Sequence, residues 1–269
     1  MKRILLAGFA LSAVVLAQAQ QKQGRVLYER VSQLQIRIQD DHGGGALENM
    51  LPKSRTDHFE LIFGNNQSIW RQAEEDNNDD GNFSSGGMQI RMIGAGMDDV
   101  IFNNFDNGQK TELREMFERK FIIDDSTRPL KWKMTGETKM ILNHSCMKAT
   151  ATQTSKRMTM NMDNGKMERK EVEDTSQLVA WFTSDIPVPA GPAEFQGQLP
   201  GLVLELDVAN GRTVFRATEV TEKADLTLIK APTGKKHYTR DEYRAEVTKM
   251  MDEMQKNNGG PGMRMRIVN

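Results

Sequence analysis

The sequence predicts a mainly β protein, a curved antiparallel meander (half-barrel-like) with a C-terminal amphipathic helix. Three observations predict it. Short runs that alternate apolar and polar residues recur along the chain. Asn-Gly, Asp-Asn-Gly and Pro-containing turns punctuate them. The one long helical pattern comes only after the strands, an order that favours a meander over alternating strand and helix.

The first apolar run, MKRILLAGFALSAVVLAQA at 1–19, reads as an export signal. Lys2 and Arg3 form a positive start, Ile4 to Ala17 an apolar stretch, and Ala17 and Ala19 the small residues of a cleavage site. The stretch is shorter than the roughly 20 residues a helix needs to cross a bilayer. The mature chain is therefore expected to start at Gln20, and no cysteine follows the apolar stretch to carry a lipid. Residues 20–269 then form a single β-rich domain.

Its first strand is expected in GRVLYERVSQLQIRI at 24–38, where Val26 alternates with Tyr28 and then Leu34 with Ile36 and Ile38. Further strand-like runs stand at 58–64, 115–123, 131–134, 138–142, 145–153, 177–183, 202–208, 213–220 and 226–230. Residues 74–87, EEDNNDDGNFSSGG, offer no apolar area to bury and are expected to be a flexible acidic insert. Asp76, Asp79 and Asp80 in it lack the spacing and closing Glu of a calcium loop. Thr239 with Glu242 is a capping box ahead of a helix over 240–256. Tyr243, Val247, Met250, Met251 and Met254 share one side of it. Asn257 to Pro261 end the helix, and 259–269 is a tail.

Composition excludes several function classes. With 36 basic and 37 acidic residues, the chain lacks the basic excess of a dedicated nucleic-acid binder. A mean hydropathy of −0.60 leaves no transmembrane segment in the mature chain. The single cysteine, Cys146, excludes an internal disulfide. No G-x-S-x-G, H-E-x-x-H, P-loop or complete dinucleotide fingerprint occurs, so no catalytic residue and no cofactor are assigned.

Methionine is the chemical oddity, with 18 in the chain. Met158, Met160 and Met162 alternate along one strand-like run, and thioethers suit Cu(I). His144 or Cys146 would have to join them from a neighbouring strand to make a strong site. Without that, the methionines are expected to line an apolar face and to bind no copper tightly. Trp132 and Trp181 are expected as core anchors, with Trp181→Ala costing about 3–5 kcal/mol.

Residues 130–206 carry a family resemblance. LKWKMTGETKMILNHSCMKATA has Trp132, Lys133, Glu137, Thr138 and Lys139, then Cys146, Lys148 and Ala149. VAWFTSDIPVPAGPAEFQGQLPGLVLEL follows with Ala180 to Thr183, Ile186, Pro187, Gly191, Pro192 and Phe195. These motifs, in this order, resemble the GLPGLI family of exported Bacteroidetes proteins. The name motif stands as Leu199-Pro200-Gly201-Leu202, with Gln198 for its first glycine and Val203 for its final isoleucine. On physical grounds Pro200-Gly201 reads as a tight turn, proline fixing φ and glycine permitting φ > 0. Trp132, Cys146, Trp181, Pro187, Gly191, Pro192, Leu199, Pro200, Gly201 and Leu202 are thus expected to carry folding information rather than catalysis.

The resemblance implies an exported protein of unestablished activity, often associated with a TonB-dependent receptor. More loosely, the strand order is similar to that of periplasmic lipoprotein-carrier half-barrels. Three functions follow, in order. The first is a non-enzymatic binding protein of the periplasm or cell surface, taking an apolar ligand or an envelope protein. The second is a soft-metal protein using Met158, Met160, Met162, His144 or Cys146. The third is an enzyme whose site joins distant residues such as Asp185, Glu194 and His144.

Overall fold

In the computed structural model, residues 21–37, 53–74, 82–85, 88–91, 99–116, 119–163, 166–257 and 266–268 are described. Two strand series meet at one central strand. β1 (Gly24–Gln33) pairs on one side with β2 (Ser54–Gly64), from which the chain continues outward. The outward series is β3 (Gln67–Gln72), β4 (Val100–Asn104), β5 (Gln109–Met116) and β6 (Arg119–Ser126). The chain then crosses to the opposite edge and returns toward β1. This second series is β7 (Lys133–Ile141), β8 (His144–Asp163), β9 (Lys166–Thr183), β10 (Leu202–Val208) and β11 (Thr213–Thr221). With the two-residue β12 (His237–Tyr238) beyond β6, the order is β7-β8-β9-β10-β11-β1-β2-β3-β4-β5-β6-β12. All pairings are antiparallel except β12 with β6, and the sheet stays open. The mainly β fold with one C-terminal helix is thus present.

Register defines an inner face. Val26, Tyr28, Phe59, Leu61, Phe63, Trp70 and Ile101 lie on it, continuing through Ala149, Ala180, Leu206 and Phe215 on the returning series. The connection 184–201 between β9 and β10 fills this face. It inserts Ile186, Val188, Ala190, Phe195 and Leu199, all buried, among the strand residues. Buried Tyr28 donates its hydroxyl to the Val203 carbonyl. The Ser68 hydroxyl meets Gln196 Oε1 at 2.6 Å. The edge-to-edge crossing, 127–132, lies on this plug. Gln198 Oε1 accepts from the Leu130 amide at 3.0 Å and from Trp132 Nε1 at 3.1 Å. Gln198 therefore ties the crossing to the plug.

Helix α1 (Arg240–Asn257) covers the inner face at its other end, over β5 and β6. The capping box forms as expected. Thr239 N donates to Glu242 Oε2 at 2.8 Å, and Glu242 N to Thr239 Oγ1 at 3.2 Å. Tyr243 and buried Met250 pack with Tyr238 on Phe121 and Ile123, a second small core.

Several expectations need correction. The run 226–230 is not a strand: Leu226–Leu228 is a 3-10 turn capped by Asp225, and Leu226 packs against Gly64. The run 115–123 is divided between β5 and β6. At the end of the 74–87 stretch, Asn82–Ser85 pairs with Met88–Arg91 just beyond it. Asp76, Asp79, Asp80 and the export signal lie outside the described residues. The tryptophans are also redistributed. Trp132 and Trp181 are only half-buried, and the fully packed one is Trp70. Gly201 does not adopt a positive φ; in this loop that conformation belongs to Ala193 and Gly197. Gly201 is required by space instead, since a Cβ there would stand 2.1 Å from the Thr183 carbonyl oxygen.

Candidate functional site

The motif residues of the returning series converge on the outer face. Lys148, Trp181, Glu205 and Arg216 are cross-strand neighbours in one row. Lys139 Nζ stands 4.4 Å from the Trp181 ring centroid and 2.9 Å from Glu205 Oε1. Lys148 Nζ lies 5.8 Å from the same ring and 2.9 Å from Glu137 Oε1. That bond to Lys148 holds the exposed Glu137 carboxyl below its ordinary range. Four residues dispersed in sequence, Glu137, Lys139, Lys148 and Trp181, thus form one half-buried brace.

The other side of the same hairpin exposes apolar groups. Met134, Met140, Leu142 and Met147 are four of the five exposed large hydrophobics among the described residues, with Met140 at 65% and Met134 at 50%. Register places the three methionines on the inner face. The turn that joins β7 to β8 is conformationally unusual. Leu142 and Asn143 have φ of 47° and 65°. Two left-handed residues in a two-residue hairpin turn favour Asn-Gly, and a leucine there costs about 1–2 kcal/mol. Replacing Leu142-Asn143 by Asn-Gly is expected to stabilise the protein by about 1 kcal/mol, read as a rise in denaturant midpoint. An unchanged or lower midpoint would show that the leucine's contacts outweigh the strain.

β7 itself is interrupted. Its register with β8 shifts between Met134 and Thr138, around Gly136 at φ +80°. β8 and β9 then continue far beyond the sheet. β7 leaves β8 at Lys133↔Thr150, while β8 and β9 stay paired to Asp163↔Lys166. Thirteen or so residues at about 3.4 Å each make an arm roughly 40 Å long. A shallow cleft lies where the arm leaves the sheet, lined by Pro129, Leu130, Lys131, Lys133, Thr150, Ala151, Thr152 and Gln177.

The arm separates the soft-metal candidates. Met158, Met160 and Met162 stand at register positions opposite Glu171, Arg169 and Met167. Cys146 and His144 begin the same strand, roughly 40 Å from Met158 at strand rise, and cannot join it at one ion. Burial pushes the Cys146 thiol up to about 11, opposite to the activation a nucleophile needs. His144 Nδ1 is 3.5 Å from Asp185 Oδ2, whereas the charge of Glu194 is felt at Asp99, and among the described residues no contact joins it to that pair. Among the described residues no three His, Cys, Asp or Glu side chains could hold a metal ion together. Of the plug residues, Gly191, Pro192, Leu199, Gly201 and Leu202 are buried, while Pro187 and Pro200 are exposed.

Sequence reasoning missed a charged cluster under α1. Glu112, fully buried on β5, accepts from Lys110 Nζ at 2.7 Å, Arg114 Nε at 2.8 Å and Arg240 Nη2 at 2.8 Å. Arg240 Nε also reaches Asp125 at 2.6 Å. Burial pushes the Glu112 carboxyl up, but Arg114, Lys110 and Arg240 outweigh it and hold it below its ordinary range. Asp99 moves the other way: burial, aided by Glu112 and Glu194, raises it to about 6 against the pull of Arg114 and Arg30. The buried Asn103 Nδ2, paired in register with Lys110, has no hydrogen-bond partner within the chain. On the page of sequence, Lys110, Glu112 and Arg114 alternate like a solvent face, so nothing local marks them as buried.

The Asp99 shift has a sign. Its folded pKa lies above the 3.8 of the free carboxyl, so the folded state holds the proton more tightly. Ionised Asp99 therefore destabilises the fold above pH 6, and the penalty is relieved as pH falls from 6 toward 4. At 1.36 kcal/mol per pH unit this amounts to about 2–3 kcal/mol. Asp99→Asn is expected to be more stable than the parent at pH 8 and level with it near pH 4.5. Parallel melting curves across that range would sink the assignment.

The fold and the site define an open β-sheet domain with a self-plugged inner face, a braced outer face and a projecting arm. Residues 132–205, from the start of β7 into β10, match a family model described as "Protein of unknown function (Porph_ging)", a domain found in Bacteroidetes. No curated protein matches the chain. Among solved structures, PNGF-II in space group P21 matches with a TM-score of 0.52 at 18% identity, over 85% of this chain and 33% of that chain. PNGF-II in space group C2 gives 0.48 at 19% identity, over 84% and 32%. The chain therefore spans about a third of the length of PNGF-II, and the likeness is one of fold. No helix among the described residues is long and apolar enough to cross a membrane.

Proposed function

We propose that this is an exported, non-enzymatic binding protein of the GLPGLI type, which meets an envelope protein at the periplasm or cell surface. A TonB-dependent receptor is the first partner to test. One observation carries the reading: the exposed apolar side chains gather on the β7–β8 hairpin, within the segment that matches the family model. Apolar groups collected on one exposed element mark an interaction surface, where scattered ones would need no explanation. A partner protein is favoured over an enclosed apolar ligand because the inner face is occupied by residues 184–201 of the chain itself.

Site-specific photo-crosslinking in the native envelope tests the reading. A photoreactive residue at Met140 is expected to capture one discrete partner, and the same residue at exposed Thr218 on β11 is expected to capture none. Equal yields at both positions, or none at either, would remove the hairpin as the recognition surface.

A further inference from the structure

We infer that the open edge of β8 beyond Thr150 takes an extended acidic segment of a partner protein by strand addition. The inference rests on the binding reading and names the chemistry of its partner. Beyond Lys133↔Thr150, β8 keeps one ladder, with β9, and no described strand pairs with its other edge. An unpaired edge presents a row of backbone donors and acceptors ready to pair with an incoming strand. β7 is a poor acceptor of such a strand, because its ladder is broken around Gly136. The β8 edge beyond it has no such bulge in its register with β9.

The cleft at the start of this edge gives the strand a seat. Pro129, Leu130 and Ala151 line it together with exposed Lys131 and Lys133. Charge selects the occupant. Lys131 and Lys133 are both exposed at this seat, and no carboxylate is among the residues that line it. A strand alternating apolar residues with Glu or Asp satisfies the edge, the cleft and the charges at once.

The probes are two labelled nine-residue peptides, one alternating Val with Glu and the other Val with Lys, titrated into the whole protein by fluorescence anisotropy. The Glu peptide is expected to bind saturably and at least about tenfold more tightly, weakening with salt as screened charges do. Lys131→Glu with Lys133→Glu is expected to reverse the preference. Thr152→Pro and Gln153→Pro are compared as well. Neighbouring strand residues point their N–H groups to opposite sides, so one proline strikes the open edge and leaves the β8–β9 ladder intact. That variant is expected to lose the peptide at an unchanged melting temperature.

Equal binding of the two peptides, or binding that survives both prolines, overturns the inference. So does concentration-dependent self-association abolished by the outward proline, which would make a second copy the occupant. A Met140 crosslink that persists while the peptides fail would leave the binding reading standing and remove this one alone.

Discussion

Trp70→Ala is expected to lower stability by about 3–5 kcal/mol, the range for truncating a large buried aromatic. Trp70 is 2% exposed and sits at the meeting of three rings. Phe59 stacks on it at 4.9 Å, Tyr28 lies at 5.3 Å, and Phe215 meets it edge-on at 5.9 Å. Those partners come from β2, β1 and β11, so one side chain joins the two strand series across the central strand. Trp181→Ala should cost less, about 1–2 kcal/mol, because its ring is half-buried, packing only against the margin of the main core and under Lys139 and Lys148. Chemical denaturation of both variants decides it. A larger loss for Trp181 than for Trp70 would contradict this assignment of the core.

That contrast also shows what the sequence reveals and what it conceals. Both tryptophans stand in short apolar runs, AWF and SIW, and nothing local distinguishes an inner from an outer position. The distinction is made by register with strands distant in the chain. The meander and the capping box are legible because each depends on neighbours within a few residues. β5 is not, because its inner positions carry Lys110, Glu112 and Arg114, whose partners Arg240 and Asp99 come from α1 and the start of β4. The arm is legible only in part: Met158, Met160 and Met162 alternate along it, but most of its other positions are polar and carry no such signal. Glycine 201 illustrates a third limit. Its need is legible, but the cause is the approach of the Thr183 carbonyl and not a left-handed turn.

Glu112→Gln is expected to cost about 3–5 kcal/mol near neutral pH, as removal of one partner from a buried ion network does. Lys110 and Arg114 would then crowd together with one carboxylate fewer, and Arg240 would keep only Asp125. The loss should fall first on α1. Its hold on the sheet rests on Arg240, on Tyr243 and Met250, and on the exposed pair Arg119–Glu246. Amide exchange over 240–257 is therefore expected to quicken more than exchange in β1 and β2. Acid should erode the difference between variant and parent. Glu112 is held below its free value, so its contribution is present above about pH 4.5 and disappears as pH falls through the folded pKa. Asp99 offers an independent readout. Glu112 is one of the charges that raise it, so in Glu112→Gln its titration should move below 6. If the variant melts like the parent at pH 7, with α1 exchange unchanged and Asp99 still titrating near 6, the cluster under the helix is not what holds it in place.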